Sequence, residues 1–468
     1  MSQFPGRVSF EILDMVGKLE PQKGRYWKYL CPSNDQFLTL IIAALLVASL
    51  FIYIQRPLWA YGVFVASGGL LFFSTRRELW PLVLRHKWLI GAYGLALTVA
   101  LPVAAYNNAT AVLHYGMAGL TLALALALYL QPRPYLLASR IVLVCFQISV
   151  FVFAMRVGFD DFPLEKMFSE SSSNGITSSL IVLQVNYLAV LFVAKGRVAT
   201  LTTIATLVLC IVGYGRASVL TALLLMVVVT IFPLPLRFNW TAMARRAALI
   251  AITVCATLFS FGLLSVPAVS FMLPWEKSPE LGDNTSPSQA PQPQLEAPQS
   301  QLEASQPRIV GPVVPDIEAP AERPDIGATK LQSGLYDQAR TDMIREYVMG
   351  MSGLELIVGR SYEGLSIMDR YNGNPHNSYI RAHHIFGLLY GLVIAAITLA
   401  AIFSATPIID KAFMTALLVA LLFRGFTETL IFPTVFDVVY FGICVWLLER
   451  GWNRRQAKPV DRGIPAPS

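Results

Sequence analysis

Charge is scarce in this chain. Asp, Glu, Lys and Arg make up 14% of its 468 residues, against 55% hydrophobic residues, where a soluble domain carries about 25% charged residues. With a mean hydropathy of +0.56 and repeated apolar runs near the ~20 residues that cross a bilayer, the sequence reads as a polytopic membrane protein. Cysteine offers no chemistry. Cys31, Cys145, Cys210, Cys255 and Cys444 are scattered, mostly within apolar segments, and form no CxxC pair, so neither a zinc cluster nor a redox motif is expected. Segment 1–36 mixes acids and bases without an apolar core before a small-residue cleavage site, so a removable signal peptide is not expected. A Gly-rich phosphate loop, a Walker motif and a DxD-like metal–nucleotide site are all missing. An outward-facing enzyme built from this chain would need a donor that arrives already activated.

What is present is a series of apolar runs. About twelve spans are expected: 37–54, 58–74, 88–105, 109–130, one ending near 157, one running to 195, then 198–212, 217–235, 247–266, 380–403, 412–432 and 434–448. Short loops on one side hold Arg76, Arg77, Arg85, Lys87, Arg133, Arg140, Lys195, Arg197, Arg237, Arg245, Arg246 and Lys411, and the tail adds Arg450, Arg454, Arg455 and Lys458. Turns on the other side hold Arg56 and Arg156. That asymmetry puts both termini in the cytoplasm, and the net charge of +7 reads as topology instead of nucleic-acid binding. The expected plan is a cytoplasmic 1–36, helices one to nine in 37–266, an external loop over 267–379, helices ten to twelve in 380–449 and a basic tail from 450.

The external loop has two parts. Residues 276–330 are rich in Pro, Gln, Glu and Ser, with Gln294-Leu295-Glu296-Ala297 recurring at 301–304; so little apolar surface predicts a disordered tether. Over 332–351, Tyr336, Ala339, Met343, Tyr347 and Met351 recur at helical spacing, which predicts an amphipathic helix against the membrane domain. Gly350 and Gly353 would end it.

The polar residues that remain gather where this loop meets the next apolar run. His376, His383 and His384, three of five histidines, lie in a stretch that reads His376-Asn377, nine residues, Gly387, two residues, Tyr390. A lone histidine there reads more readily as a helix cap at the interface than as a base. Arg216, inside Gly215-Arg216-Ala217-Ser218, is costly between apolar spans unless it meets an anion, a partner or the interface, and snorkelling explains it equally well. Arg340 opens the amphipathic helix, where a surface pair with Asp337 is the simpler reading; Arg345 stands in reserve. Arg424 and Glu428 are four residues apart, the spacing of a buried structural ion pair on one helical face. A metal site from His376, His383 and His384 is disfavoured, because neighbours on one helix cannot aim at one ion and no Asp/Glu/Cys cluster is near.

The His-Asn pattern, the Gly-Arg-Ala-Ser segment and the large loop ahead of a late helix together resemble the O-antigen ligase and Wzy-type polymerase family. The resemblance covers about 200–448, while the first half is generic apolar helix. It implies an all-α, GT-C-like bundle in the bacterial inner membrane with its site facing the periplasm. Such an enzyme transfers an undecaprenyl-diphosphate-linked glycan to a glycan or lipid A-core acceptor, with inversion and with neither metal nor cofactor. By resemblance, Arg216 and Arg340, with Arg345 in reserve, hold the diphosphate; His376 positions or deprotonates the acceptor hydroxyl; Asn377 and Tyr379 orient it. His383 and His384 depart from the more apolar stretch of the family. A polymerase for O-antigen or exopolysaccharide, working beside other assembly proteins, is slightly favoured over a ligase, since nothing reads as a lipid A-core site. The rival class is a lipid-linked oligosaccharide flippase or secondary transporter, for which Arg424 and Glu428 are the best argument. Against it stand the lack of a half-to-half repeat and the clustering of polar candidates on one side. A non-catalytic scaffold would need His376 only for structure.

Overall fold

In hydrocarbon every backbone N–H and C=O must be paired within its own segment, so apolar runs of this length fold as helices. The computed structural model describes residues 34–107, 111–158, 163–168, 172–232, 338–362, 364–365 and 374–456, with isolated positions between 241 and 255. Among the described residues there are thirteen α-helices and no strand. They are α1 (Asn34–Gln55), α2 (Leu58–Arg85), α3 (Lys87–Asn107), α4 (Ala111–Tyr129), α5 (Pro132–Val157), α6 (Ser173–Lys195), α7 (Thr200–Val212) and α8 (Arg216–Ile231). After the insert come α9 (Gln338–Val348), α10 (Gly353–Val358), α11 (Ser378–Ile402), α12 (Ile408–Thr427) and α13 (Asp437–Gln456). Five of these, α1, α2, α5, α6 and α11, are long and apolar enough to cross a bilayer. The expected ninth span and the Pro/Gln-rich tether lie outside the described residues, apart from the isolated positions, as do 1–33 and 457–468.

Several boundaries differ from the sequence expectation, each for a local reason. Arg76 and Arg77 lie on α2, which runs on to Arg85, so the expected loop shrinks to His86. Arg140 likewise lies on α5, which begins with Pro132 at its first position, where a missing N–H does no harm. At the other end of the chain, α12 stops at Thr427 and not near 432, although 430–432 is apolar. Two carboxylate oxygens of Asp437 accept the N–H groups of Phe432 (2.8 Å) and Thr434 (3.1 Å), which holds a non-helical turn ahead of α13. The basic residues Arg450, Arg454 and Arg455 continue α13. Of the expected amphipathic helix, 338–351 is described and α9 covers it as far as Val348, with Met343 and Tyr347 on its buried side.

α6 is the centre of the bundle: every residue from Ile176 to Leu191 is buried, against α1, α5, α7, α8, α12 and α13. Lipid is as apolar as leucine, so packing and internal polar contacts hold such helices together more than hydrophobicity does. The contacts are present. Gln147 of α5 donates to Thr202 O (2.8 Å) and Thr206 Oγ1 (2.9 Å), and Gln184 of α6 donates to Thr203 Oγ1 (2.8 Å). Tyr135 donates to Asn186, which donates to Ser139 (3.2 Å).

The alternation of helices gives the bundle two unlike ends. At one, Glu449 of α13 is buried and clamps Arg85 and His86 (Nε2 to Oε1, 2.6 Å), which join α2 to α3. At the other lie the start of α11 and the break between α1 and α2. The α7–α8 turn joins this end through the Ser173 hydroxyl on Gly213 O and the Ser218 hydroxyl on Thr177 Oγ1. Among the described residues, the non-glycine residues with positive φ are Arg56 (51°), Tyr214 (51°), His376 (45°) and Phe432 (55°), and all four belong to this second end. Such backbone costs about 1–3 kcal/mol per residue and gathers where function needs it.

Candidate functional site

The site is built on the first turn of α11. Asn377 caps that helix, its Oδ1 accepting the N–H groups of Tyr379 (2.9 Å) and Ile380 (3.1 Å). Ser378 is fully buried and ties the turn to the end of α12. Its hydroxyl donates to Glu428 O (2.7 Å) and accepts from Leu430 N (2.9 Å) and Ile431 N (3.1 Å). These bonds set the position of His376, just before the cap, and of Glu428, just past Thr427. The two meet: Nδ1 of His376 lies 3.2 Å from Oε1 of Glu428. Glu428 is 4% exposed, and a carboxylate only accepts, so the neutral ring carries its proton on Nδ1 and its lone pair on Nε2.

Beside this pair is a cavity of about 350 Å³, the size of a small-ligand site. Its wall includes Arg56, His114, Ser172, His376, Arg381 and Glu428. The first turns of α2, α4, α6 and α11 contribute to it, as do the last turn of α1 and the residues just past α12. Each helix N-terminus adds about half a positive charge, so N-termini outnumber C-termini at the wall. Arg381 reaches His114 across the cavity (3.2 Å to Nε2). Among the described residues no carboxylate forms an ion pair with Arg56 or Arg381.

No family model matches the chain, and neither the characterised proteins nor the solved structures contain a match. The site therefore rests on its geometry.

His383 and His384 fasten the segment after α9 to α11. Nε2 of His383 donates to Leu356 O (2.8 Å), which leaves Nδ1 to accept from the Tyr347 hydroxyl (2.8 Å). Burial pushes that hydroxyl's pKa up, so it keeps its proton. Nδ1 of His384 donates to Arg360 O (2.6 Å), and its ring stacks on Tyr362 at 3.8 Å. Between these contacts α10 wedges into α11. Gly359 (φ 98°) faces the carbonyls of His383 and His384, and Gly387 (φ 69°) faces those of Ile357 and Val358. The glycine of the sequence pattern is thus the point where α11 kinks. A side chain there has no room.

The sequence candidates separate. His376 and Glu428 come together on the cavity wall, with Asn377 and Ser378 holding the turn. Tyr379 is directed elsewhere, its hydroxyl donating to Leu422 O (2.9 Å). Arg216 opens α8 at the same end but is not on the cavity wall. Arg345 is exposed on α9, its Nε 3.4 Å from the Met349 sulfur. Arg340 belongs to the first turn of α9, and its side chain lies outside the described residues. Arg424 and Glu428 do not share a helical face, because the helix ends between them and Glu428 is extended. Arg424 is buried and donates to Ser178 Oγ (2.5 Å) and Thr427 Oγ1 (2.6 Å). Sequence reasoning passed over Arg56, His114, Arg381 and Ser378. A histidine inside an apolar helix was a usable signal for His114; Arg56 reads as an ordinary turn residue until its neighbours in space are known.

Proposed function

We propose that this chain is a membrane glycosyltransferase that moves a polyprenyl-diphosphate-linked glycan onto an acceptor sugar hydroxyl. The observation that carries the reading is the His376–Glu428 pair at the wall of an arginine-lined cavity, at the point where the His-Asn pattern starts α11. The five bilayer-length helices belong, in this reading, to a bundle of about twelve spans in the bacterial inner membrane. The Glu449 end, with Arg76, Arg77, Arg85, Lys87, Lys195 and Arg450, is the cytoplasmic one by its basic residues. The cavity then opens to the periplasm, where the donor must bring its own leaving group.

In the reaction, Nε2 of His376 takes the acceptor proton while the hydroxyl oxygen attacks the anomeric carbon from the side opposite the diphosphate. The carbon–oxygen bond to phosphate breaks, its electron pair leaves on the lipid diphosphate, and configuration inverts. Glu428 keeps the imidazole in the correct tautomer and stabilises the imidazolium. Positive groups fixed at the leaving oxygens lower the barrier because they need no reorganisation. Polymerase use, with a second lipid-linked repeat as acceptor, remains the favoured version over transfer to lipid A-core.

The test is transfer by purified, reconstituted protein from an undecaprenyl-diphosphate oligosaccharide, without nucleotide and with a chelator. A second lipid-linked repeat and lipid A-core are both offered as acceptors. The reading expects product from wild type and none from His376→Ala. Product from His376→Ala at the wild-type rate, or lipid-linked glycan crossing the bilayer without transfer, would overturn it.

A further inference from the structure

Two arginines face one cavity at the end of this helical bundle, and among the described residues neither forms an ion pair with a carboxylate. Such a placement is costly: a cation near apolar helices is retained where it meets an anion or the aqueous interface. Arg56 has an aqueous exit, being exposed at the α1–α2 break. Arg381 does not have the same freedom. It is half-buried, one turn into α11, and its guanidinium is directed at His114 of α4, a partner that is neutral or itself cationic. Glu428, the carboxylate on the wall, is held by His376 and by Thr429 N (3.2 Å). With both histidines neutral the wall itself carries two positive charges against one negative, and its four helix N-termini outnumber the two C-termini. Asp437, buried and not on the wall, acts on Arg381 electrostatically but is itself held by Phe432 N and Thr434 N. The backbone is committed to the arrangement as well, since Arg56 and His376 both adopt left-handed φ at the rim.

We infer that Arg56 and Arg381 form a diphosphate-binding subsite, with Arg381 as the inner contact and Arg56 as the outer one. Arginine's planar fork matches phosphate oxygens bidentately, and a cavity of about 350 Å³ is of small-ligand size. The assignment rests on the glycosyltransferase reading only for the source of the anion. It departs from the sequence expectation, which placed the diphosphate on Arg216 and Arg340. The same chemistry is offered by an ordinary phospholipid head group, so the test includes one.

The full chain is placed in phosphatidylcholine nanodiscs, and binding of inorganic pyrophosphate and of farnesyl diphosphate is measured by calorimetry. The variants are Arg56→Gln, Arg381→Gln, Arg381→Lys and, as a control at the same end but off the wall, Arg156→Gln. Wild type and Arg156→Gln should bind both probes alike. Arg56→Gln and Arg381→Gln should each weaken binding about 10- to 100-fold, the scale of a lost charge-assisted contact. Arg381→Lys keeps the charge but not the fork and should bind between wild type and Arg381→Gln, which separates a lost contact from a lost fold. Wild type that binds neither probe, or glutamine variants that bind as wild type does, would overturn the inference. So would phosphatidylglycerol competing as well as farnesyl diphosphate. Pyrophosphate binding that needs both arginines, in a protein that transfers no glycan, leaves the subsite standing and removes the glycosyltransferase reading.

Discussion

Replacing Gly387 with alanine should loosen the whole α10–α11 junction, and the size of the effect can be worked from the geometry. Gly387 has φ 69° and ψ −173°, a region that is essentially glycine's own and costs another residue about 1–3 kcal/mol. The added Cβ would lie 2.2 Å from Ile357 O and 2.8 Å from the Val358 carbonyl carbon, far inside the ~3.5–4.0 Å of normal contact. Both atoms are backbone, so relief requires moving 357–358 away from α11. That movement strains the His383 bond to Leu356 O and the His384 bond to Arg360 O, each worth about 1 kcal/mol net. The total is about 3–5 kcal/mol. Gly391, four residues on, supplies the contrast: nothing lies within 4 Å of its built Cβ. Gly391→Ala should therefore be neutral or stabilising by about 0.5–1 kcal/mol through helix propensity. Thermal unfolding in nanodiscs and trypsin cleavage after Arg360 are the readouts, since Arg360 is held to the carbonyls of Glu346, Tyr347 and Met349. A Gly387→Ala protein that melts with wild type and keeps Arg360 protected would refute the wedge.

Three further outcomes are expected. Glu428→Gln keeps the shape of the site but removes the carboxylate that fixes the His376 tautomer; transfer should fall at least ~10²-fold with no loss of pyrophosphate binding, and a normal turnover rate would show that the pair is structural. Ser178→Ala takes one acceptor from the buried Arg424 guanidinium and should cost about 1–3 kcal/mol, read as a lower unfolding midpoint; an unchanged midpoint would mean that another group replaces it. Glu355 caps α10, and its bonds to Ser352 hold its carboxyl below the usual carboxylate range. Because the folded pKa is the lower one, the cap contributes fully above the usual range and is lost as pH falls through the folded value. The protection of the 353–358 amides, taken against the intrinsic exchange rate at each pH, should fall on acidification in wild type and be already low, with a weaker pH response, in Ser352→Ala.

The apolar runs made most helices legible, because a segment in lipid has to pair its own backbone. What misled was polar residues taken as loop markers. Arg76 and Arg77 are accommodated on α2, where long basic side chains can extend from a helix toward water. The opposite error occurred past Thr427, where the apolar 430–432 was read as helix although the Asp437 side chain, five residues beyond, fixes a turn. That misreading decided the partner assigned to Glu428. Spacing of four implies a shared face only while the helix continues, and it stops at Thr427. His376, Asn377 and Gly387 were legible as a pattern; the reason for the glycine, contact with an α10 some thirty residues earlier, was not. His383 and His384 made no sense along the chain because their partners come from 347–362. Arg56 and Arg381 are more than three hundred residues apart, and nothing local relates them.

The kink at Gly387 divides α11 into two pieces with different attachments. The first, 378–386, is about 13 Å long and is fastened at both ends, by Ser378 to the 428–431 turn and by the α10 wedge beside Gly387. The second, 388–402, runs on through the apolar part of the bundle. A change in bilayer thickness that tilts the longer piece would be absorbed at the joint between them. The short piece would keep its registration against α12, and with it the spacing between the ring of His376 and the guanidinium of Arg381. A site facing a soft, fluctuating solvent is thereby carried on a part of its own helix that is mechanically separate from that solvent.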